Sequence, residues 1–217
     1  MKNGVEMTRS DLMRPAAATM RAWPRLALLL ACVVPVAALA VTEPDTGTEY
    51  PDTIGLDLGG ETVTLRATGV GLREKTFFKV DVYTIVSYVV DDAQLGERPA
   101  RTLCTIDAPK RIRMDLRRGF SRDKLVDSFR ESIEKNMDDL SSIEAAMAAF
   151  EGYFDRDARE GDEIVFTYLP GRGVATELNG ARLGVIDEPA FAVALWSVWF
   201  GDEPTDEGLR DDLLKAI

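Results

Sequence analysis

The spacing of apolar residues changes along the chain and divides it into blocks of strands and helices. Apolar and polar residues alternate in residues 62–67, and β-branched and aromatic residues dominate residues 77–90. Both patterns are typical of β-strands. Residues 101–106 and 111–116 are predicted as two further short strands, joined by a turn at residues 107–109. This part of the chain is therefore predicted to form a β-sheet.

The spacing becomes helical in the middle of the chain. A helix is predicted over residues 121–137, because apolar residues recur there every four positions and Ser121 can serve as the N-cap. A second helix is predicted over residues 141–154, where Ser141 and Glu144 have the spacing of a capping box. Each helix presents one apolar face, which we expect to pack on the sheet.

The last third of the chain returns to strands and then to helices. Three strands are predicted at residues 164–169, 174–178 and 182–186. Asn179-Gly180, between the last two, is the preferred pair for a type I′ hairpin turn. One helix is predicted from Pro189 to a C-cap at Gly201, and a last one from Glu207 to Ala216. Because strands and helices come in blocks, the order indicates an α+β domain with helices over one face of a mostly antiparallel sheet.

The amino-acid composition excludes several kinds of catalytic and binding site. The 217 residues include no His, which excludes His-dependent nucleophiles, His-ligated metals and imidazole proton shuttles. The net charge of −11 argues against a broad nucleic-acid-binding surface, which has to be basic. The sequence contains no CxxC, HExxH or phosphate-loop motif. We therefore expect no metal, no cofactor and no nucleic-acid partner.

Residues 1–40 are predicted to be a secretory signal peptide. Arg21 and Arg25 precede an apolar run of 15 residues that ends at a small-x-small cleavage site, Ala38-Leu39-Ala40. The run is shorter than the ~20 apolar residues of a spanning helix. We therefore favour cleavage and a periplasmic protein that meets the membrane only through this segment. A retained anchor and a lipoprotein modified at Cys32 are the alternatives.

Export changes the composition of the remaining chain. Cleavage after Ala40 removes five of the 26 basic and two of the 37 acidic residues, so the net charge goes from −11 to −14. Residues 41–53 are polar and predicted to be a flexible leader, and residues 54–217 are predicted to be one domain. Cys104 is then the only cysteine, and we interpret it as a small core residue instead of a reactive thiol. The sequence does not indicate an oligomeric state.

The most specific local feature is the segment Gly69-Val70-Gly71-Leu72-Arg73, between two predicted strands. Two glycines permit a tight bend and the close approach of another group. Arg73 could direct its planar guanidinium at an anionic or carbonyl group. From spacing alone, a glycine-bearing bend with a solvated arginine is the simpler interpretation.

Two other strands carry candidate binding residues. Alternation places Tyr83 on one face of its strand and Thr84 and Tyr88 on the other, where hydroxyl groups could line an apolar cavity. The more common arrangement has the tyrosine rings in the core with their hydroxyls at its edge. Arg111 belongs to a basic strand face. That face is either an anion-binding wall or a solvated surface paired with helix carboxylates.

Taken together, these residues resemble the chalcone isomerase-like family, in its exported bacterial branch. The resemblance rests on Gly69-x-Gly71-x-Arg73 followed by Phe77-Phe78-Lys79-Val80, on the strand from Tyr83 to Tyr88, and on the tryptophan-containing residues 191–201. It spans roughly residues 54–217. It implies an open-faced β-sandwich, in which a large antiparallel sheet carries helices on one face and a ligand cleft lies between them.

The resemblance also implies roles for particular positions. Plant members of the family close a chalcone ring, and related plastid proteins bind fatty acids. Both have an arginine at the position of Arg73, where it holds a phenolate or a carboxylate. Phe120 takes the place of the isomerase tyrosine that orders the catalytic water, Asp127 that of an asparagine and Arg111 that of a lysine. Thr84 is the candidate match for the isomerase threonine.

The sequence therefore predicts a periplasmic, non-catalytic protein that binds a small amphipathic or anionic molecule, such as a fatty acid. One alternative is an intramolecular lyase of the chalcone isomerase type that uses Arg73, Arg111 and a bound water. Another is an envelope scaffold with a vestigial cleft, in which Trp196 and Trp199 form an interface. No residue is assigned as catalytic or metal-binding. The candidate ligand-binding residues are Arg73, Tyr83, Thr84, Tyr88, Arg111, Phe120 and Asp127.

Overall fold

The computed structural model describes residues 39–75 and 80–217, which form nine strands and five helices. A short hairpin comes first, with strands β1 (Ala40–Thr42) and β2 (Glu49–Pro51). The remaining strands form one antiparallel sheet in which every strand pairs with its neighbour in sequence. They are β3 (Thr53–Asp57), β4 (Thr62–Lys75), β5 (Val80–Val90), β6 (Lys110–Leu116), β7 (Glu163–Leu169), β8 (Gly173–Leu178) and β9 (Ala181–Ile186).

The helices cover one face of this sheet, which confirms the predicted α+β fold. They are α1 (Pro99–Thr105), α2 (Arg122–Glu134), α3 (Glu144–Gly152), α4 (Pro189–Phe200) and α5 (Glu207–Asp212). Helix α4 is the central one, since nine of its 12 residues are buried and it packs against α1, α2 and α5. Trp196 and Trp199 are 0% and 1% exposed. Their interpretation as interface residues of a scaffold is therefore wrong.

Strand β4 differs from the predicted pair of strands joined by a bend. It is continuous over 14 residues, and its pairing with β5 shifts register twice, between Ala67 and Gly69 and between Arg73 and Glu74. A side chain at Gly69 would overlap the backbone of Asp212 and Leu213, at the end of α5. A Cβ at Gly71 would lie 2.6 Å from Cδ1 of Leu209 in the same helix. The close approach expected at these glycines is therefore present, and the approaching group is the C-terminal helix.

The segment predicted to be a flexible leader contains the β1–β2 hairpin. Tyr50 anchors this hairpin to the face of the sheet opposite the five described helices, where it is 1% exposed and packs with Leu65 and Tyr88. Its hydroxyl donates a hydrogen bond to Oγ1 of Thr84 at 2.7 Å. One buried aromatic side chain thus orders a stretch whose overall composition is polar.

The predicted strand at residues 101–106 is wrong, because residues 101–105 belong to helix α1 and Ile106 is its C-cap. Pro99 stands in the first turn, where its ring favours a helix, and the hydroxyls of Thr102 and Thr105 bond back to carbonyls one turn earlier. The strand was predicted from a short alternating pattern of apolar residues, which does not distinguish a strand from a short helix. Cys104 is 6% exposed, and burial raises the pKa of its thiol to about 12, so its assignment as a core residue is confirmed.

The predicted turns and caps have mixed outcomes. Ser121 caps α2 by accepting a hydrogen bond from the Lys124 amide at 3.4 Å. Asn179 and Gly180 have φ values of 52° and 77°, as a type I′ turn requires. The predicted capping box at Ser141 does not form, because the Ser141 hydroxyl donates to the carboxylate of Asp139 and helix α3 begins only at Glu144.

Some predictions fall outside the described residues. These are nearly all of the signal peptide, including Cys32, and the Phe77-Phe78-Lys79 part of the family motif. Among the helices of residues 39–75 and 80–217, none has the length and apolar character needed to span a bilayer.

Candidate ligand-binding site

A cavity of about 250 Å³ lies between the sheet and the helices, bounded by β4, β5, β6, α2 and α4. Its apolar lining comes mainly from Val82, Met114, Leu116, Leu125, Phe129 and Val198. The volume is slightly below the ~300–1,000 Å³ typical of sites for drug-sized ligands. The cavity can therefore hold a small apolar molecule or part of a longer chain.

Arg73 marks a polar end of this cavity. Its Nη1 donates to Oδ2 of Asp206 at 2.7 Å and to the carbonyl oxygen of Glu74 at 2.8 Å. The Arg73 and Asp206 side chains are 21% and 28% exposed, so the ion pair is partly withdrawn from water. Oδ1 of Asp206 accepts from the amide of Leu209 at 2.9 Å and caps α5. The guanidinium is thus held in place from the first turn of the C-terminal helix.

Tyr83 lines the cavity on the next strand. Its hydroxyl oxygen accepts a hydrogen bond from Nε1 of Trp199 at 3.1 Å, which leaves the phenol proton without an acceptor among the described residues. Burial raises the pKa of Tyr83 to about 12, although the nearby positive charge of Arg73 acts in the opposite direction. The phenol is therefore neutral at physiological pH and can donate a hydrogen bond to an oxygen of a ligand.

The wall opposite the sheet combines an aromatic ring with positive charge. Phe120 lines the cavity before α2 begins and offers no hydroxyl there. The guanidinium carbon of Arg118 lies 5.4 Å from the centroid of the Phe120 ring, within the range of a cation–π contact. Lys124 contributes an exposed ammonium group from α2. This surface favours the approach of an anion, although the chain as a whole is acidic.

The family model described as chalcone isomerase-like matches residues 45–215. The chain belongs to the chalcone isomerase-like family. Among solved structures, it is similar to a fatty-acid binding protein of Arabidopsis thaliana, with a TM-score of 0.64 and 23% identity over 81% of this chain and 96% of that chain. At this level of identity, the similarity shows a shared fold. No curated protein sequence matches the chain.

Three of the seven candidate residues meet in the cavity of this chalcone isomerase-like domain, namely Arg73, Tyr83 and Phe120. Thr84 and Tyr88 lie on the opposite face of the sheet, because successive side chains of a strand alternate. The hydroxyl of Tyr88 donates to the carbonyl of Pro51 at 2.9 Å. Both residues hold the N-terminal hairpin, so the structure gives them a structural role.

The remaining two candidates also lie away from the cavity. Arg111 shares the hairpin face of the sheet and donates through Nε to Oγ1 of Thr167 at 2.8 Å. Asp127 lies on the exposed side of α2. On the same basic strand face, Arg113 pairs with Asp115 and Glu163 of the sheet, so the predicted pairing with helix carboxylates is wrong for this residue.

Asp206, which pairs with Arg73 at the edge of the cavity, was not predicted from the sequence, and neither were the polar lining residues Lys124, Ser128, Ser132 and Thr205. An aspartate before a short helix is a recognisable N-cap signal, so its bond to the Leu209 amide could have been predicted. Its ion pair with Arg73 could not, because the two residues are 133 positions apart. Trp199 was visible in the family motif, but its bond to Tyr83 spans 116 positions.

Proposed function

We propose that this chalcone isomerase-like protein is a non-catalytic binder of an amphipathic small molecule with an acidic head group, such as a fatty acid. The observation that carries the proposal is one cavity with an apolar lining and two hydrogen-bond donors, Arg73 and Tyr83, at its edge. Ligand sites commonly combine a mostly apolar surface with a few polar groups that fix the ligand's orientation. The fatty-acid binding protein of similar fold supports this class of ligand.

The two parts of the cavity suggest how such a ligand binds. Its hydrocarbon chain packs against Met114, Leu116 and Phe129, where burial contributes about 0.8 kcal/mol per methylene. Its head group accepts a hydrogen bond from the Tyr83 phenol and pairs with the Arg73 guanidinium. Phe120 supports a binding role over the isomerase role, because no hydroxyl is present at that position to order a catalytic water.

The proposal is tested by titrating the purified protein with dodecanoate and comparing it with two arginine variants. Arg73→Ala should weaken binding about ten-fold or more, since a hydrogen bond to a charged group contributes about 1.5–3 kcal/mol. Arg182→Ala is the matched control, because Arg182 is also paired with a carboxylate, Glu177, but lies on β9 outside the cavity. The affinity of Arg182→Ala for dodecanoate should stay within about two-fold of the wild-type value.

Two results would contradict the proposal. Equal dodecanoate affinity of wild-type protein and Arg73→Ala would remove Arg73 from the site. Turnover of a chalcone well above the spontaneous rate, followed by absorbance at several pH values, would replace the binding function with an isomerase function. Native mass spectrometry of the protein purified from its own cell envelope would identify a ligand that is retained during purification.

We further propose that the protein acts in the periplasm after cleavage behind Ala40. The support is the predicted signal peptide, whose apolar run and small residues fit export. Cleavage there leaves Val41 and Thr42 of β1 paired with β2. The N-terminal sequence of the protein from a periplasmic fraction should begin at Val41. An intact N-terminus in the cytoplasm, or lipid on Cys32, would contradict the proposal.

A further inference from the structure

The polar end of the cavity already contains a carboxylate that belongs to the protein. Asp206 places Oδ2 against Nη1 of Arg73 at 2.7 Å and uses Oδ1 to cap α5 through the Leu209 amide. Charged partners at this distance form a strong, charge-assisted hydrogen bond. Nη1 also donates to the carbonyl oxygen of Glu74, so among the described residues only Nε and Nη2 remain for a ligand carboxylate, which meets the negative charge of Asp206 beside them.

The charges of Arg73 and Asp206 cancel each other without a ligand. Arg73 contributes one positive charge, Asp206 one negative charge, and Tyr83 is a neutral phenol because burial raises its pKa. An entering carboxylate adds a negative charge beside Asp206, in a place partly withdrawn from water, where like charges repel more strongly than in bulk solvent. Lys124 also lines the cavity, but its side chain is exposed to solvent. Its positive charge is therefore a weaker substitute for that of Arg73, which Asp206 already neutralises.

We infer that Asp206 is an internal competitor for the acidic head group of the ligand. A ligand carboxylate has to share the positive charge of Arg73 with the Asp206 carboxylate, so Asp206 determines how tightly acids are held relative to uncharged amphiphiles. This inference rests on the proposed binding function and adds a residue that determines its specificity. An alcohol of the same chain length meets no such competition, because it carries no charge and can accept the Tyr83 proton while the Arg73–Asp206 pair remains intact.

The variant Asp206→Asn separates charge from helix capping. Asparagine caps helices as well as aspartate does, so its side-chain oxygen can still accept from the Leu209 amide. The negative charge beside Arg73 is removed. We expect the affinity for dodecanoate to increase at least ten-fold, while the affinity for 1-dodecanol changes less than three-fold. Both affinities are measured by the displacement of the same fluorescent ligand from the cavity.

Glu207→Gln is the matched control. Glu207 is the next residue, lies exposed in the first turn of α5, and loses the same unit of negative charge when substituted. Both affinities should then stay within three-fold of the wild-type values. Asp206→Ser provides a second, uncharged cap for the case in which Asp206→Asn fails to fold. It should produce the same change in the ratio of the two affinities.

The outcomes distinguish this inference from the function on which it rests. If the wild-type protein binds both amphiphiles and the two Asp206 variants leave the affinity ratio unchanged, Asp206 is not a competitor and the binding function stands. If Glu207→Gln raises dodecanoate affinity as much as Asp206→Asn does, the effect comes from the lower negative charge of the protein and not from the contact with Arg73. The inference is then wrong. If neither amphiphile binds to any of the proteins, both the inference and the proposed function are overturned.

Discussion

Lys110 is a buried lysine whose titration should be visible in the stability of the protein. Its side chain is 1% exposed, and Nζ donates to the carbonyl oxygens of Leu103 and Cys104 at 2.8 and 3.0 Å. The ammonium group also lies 4.9 Å from the ring centroid of Trp196 and 5.2 Å from that of Tyr168. Burial lowers its pKa to about 8, so the folded state releases this proton more easily than the unfolded state does.

The sign and size of the effect follow from linkage. Between the folded pKa of about 8 and the unfolded value of about 10.4, the unfolded state binds more protons, so the free energy of unfolding rises with pH. Well below the folded pKa the lysine is charged in both states, so its contribution is constant there. From pH 7 to pH 9 the rise amounts to about 1.3 kcal/mol, at 1.36 kcal/mol per pKa unit.

The assay is urea unfolding at pH 7, 8 and 9 of the wild-type protein and of Lys110→Met, which keeps an unbranched apolar side chain. Cys104 acts in the opposite direction, because its pKa is raised to about 12 and unfolding lets its thiol ionise above about pH 9. Since both proteins contain Cys104, its contribution largely cancels in the difference. The unfolding free energy of wild type minus that of Lys110→Met should increase by about 1 kcal/mol over this range. A difference that is constant or decreases with pH would refute the reasoning.

Two further substitutions test how the sheet is held on its two faces. Tyr50→Phe should lower the free energy of unfolding by about 1 kcal/mol, because Oγ1 of buried Thr84 loses its donor. Calorimetry should then show a melting temperature lower by about 2–4 °C. Tyr153→Phe, at a half-buried tyrosine on the helix side, is the control, and an equal loss in both variants would argue against a specific anchor. Gly69→Ala should cost about 1–3 kcal/mol, because its side chain overlaps the backbone after α5, and amide hydrogen exchange in α5 should accelerate. Gly152→Ala, where a Cβ has open space, should not destabilise the protein, and protection of α5 unchanged by Gly69→Ala would contradict the packing described.

The sequence predicts elements whose pattern is local and misses those that depend on distant contacts. In β6, Ile112 and Met114 alternate with polar residues and face the helices, as a period of two requires. The sequence predicts a strand in place of helix α1, because its short pattern of apolar residues fits either element when taken alone. Its packing on α4 and the bonds from Lys110 to its last carbonyls depend on other parts of the chain.

The site shows the same division between local and distant information. Arg73 could be selected because a local motif of glycines precedes it and because the motif resembles a known family. Thr84 and Tyr88 were selected with Tyr83, although strand alternation already separated them from it. Which face carries the cavity depends on where the helices pack. When both faces of a strand are buried, as in β5, the sequence pattern does not show which face the helices cover.

The contact between Arg73 and Asp206 has a consequence for how the binding site is assembled. Consecutive pairing lets each strand of the sheet join the preceding one soon after it has been synthesised. The polar end of the cavity is different, because it joins residues 133 positions apart and requires α5 to dock on β4. On the proposed route of export, this end is therefore completed only after almost the whole chain has crossed the membrane. The proposed ligand would then meet a complete site only in the compartment where the last helix folds.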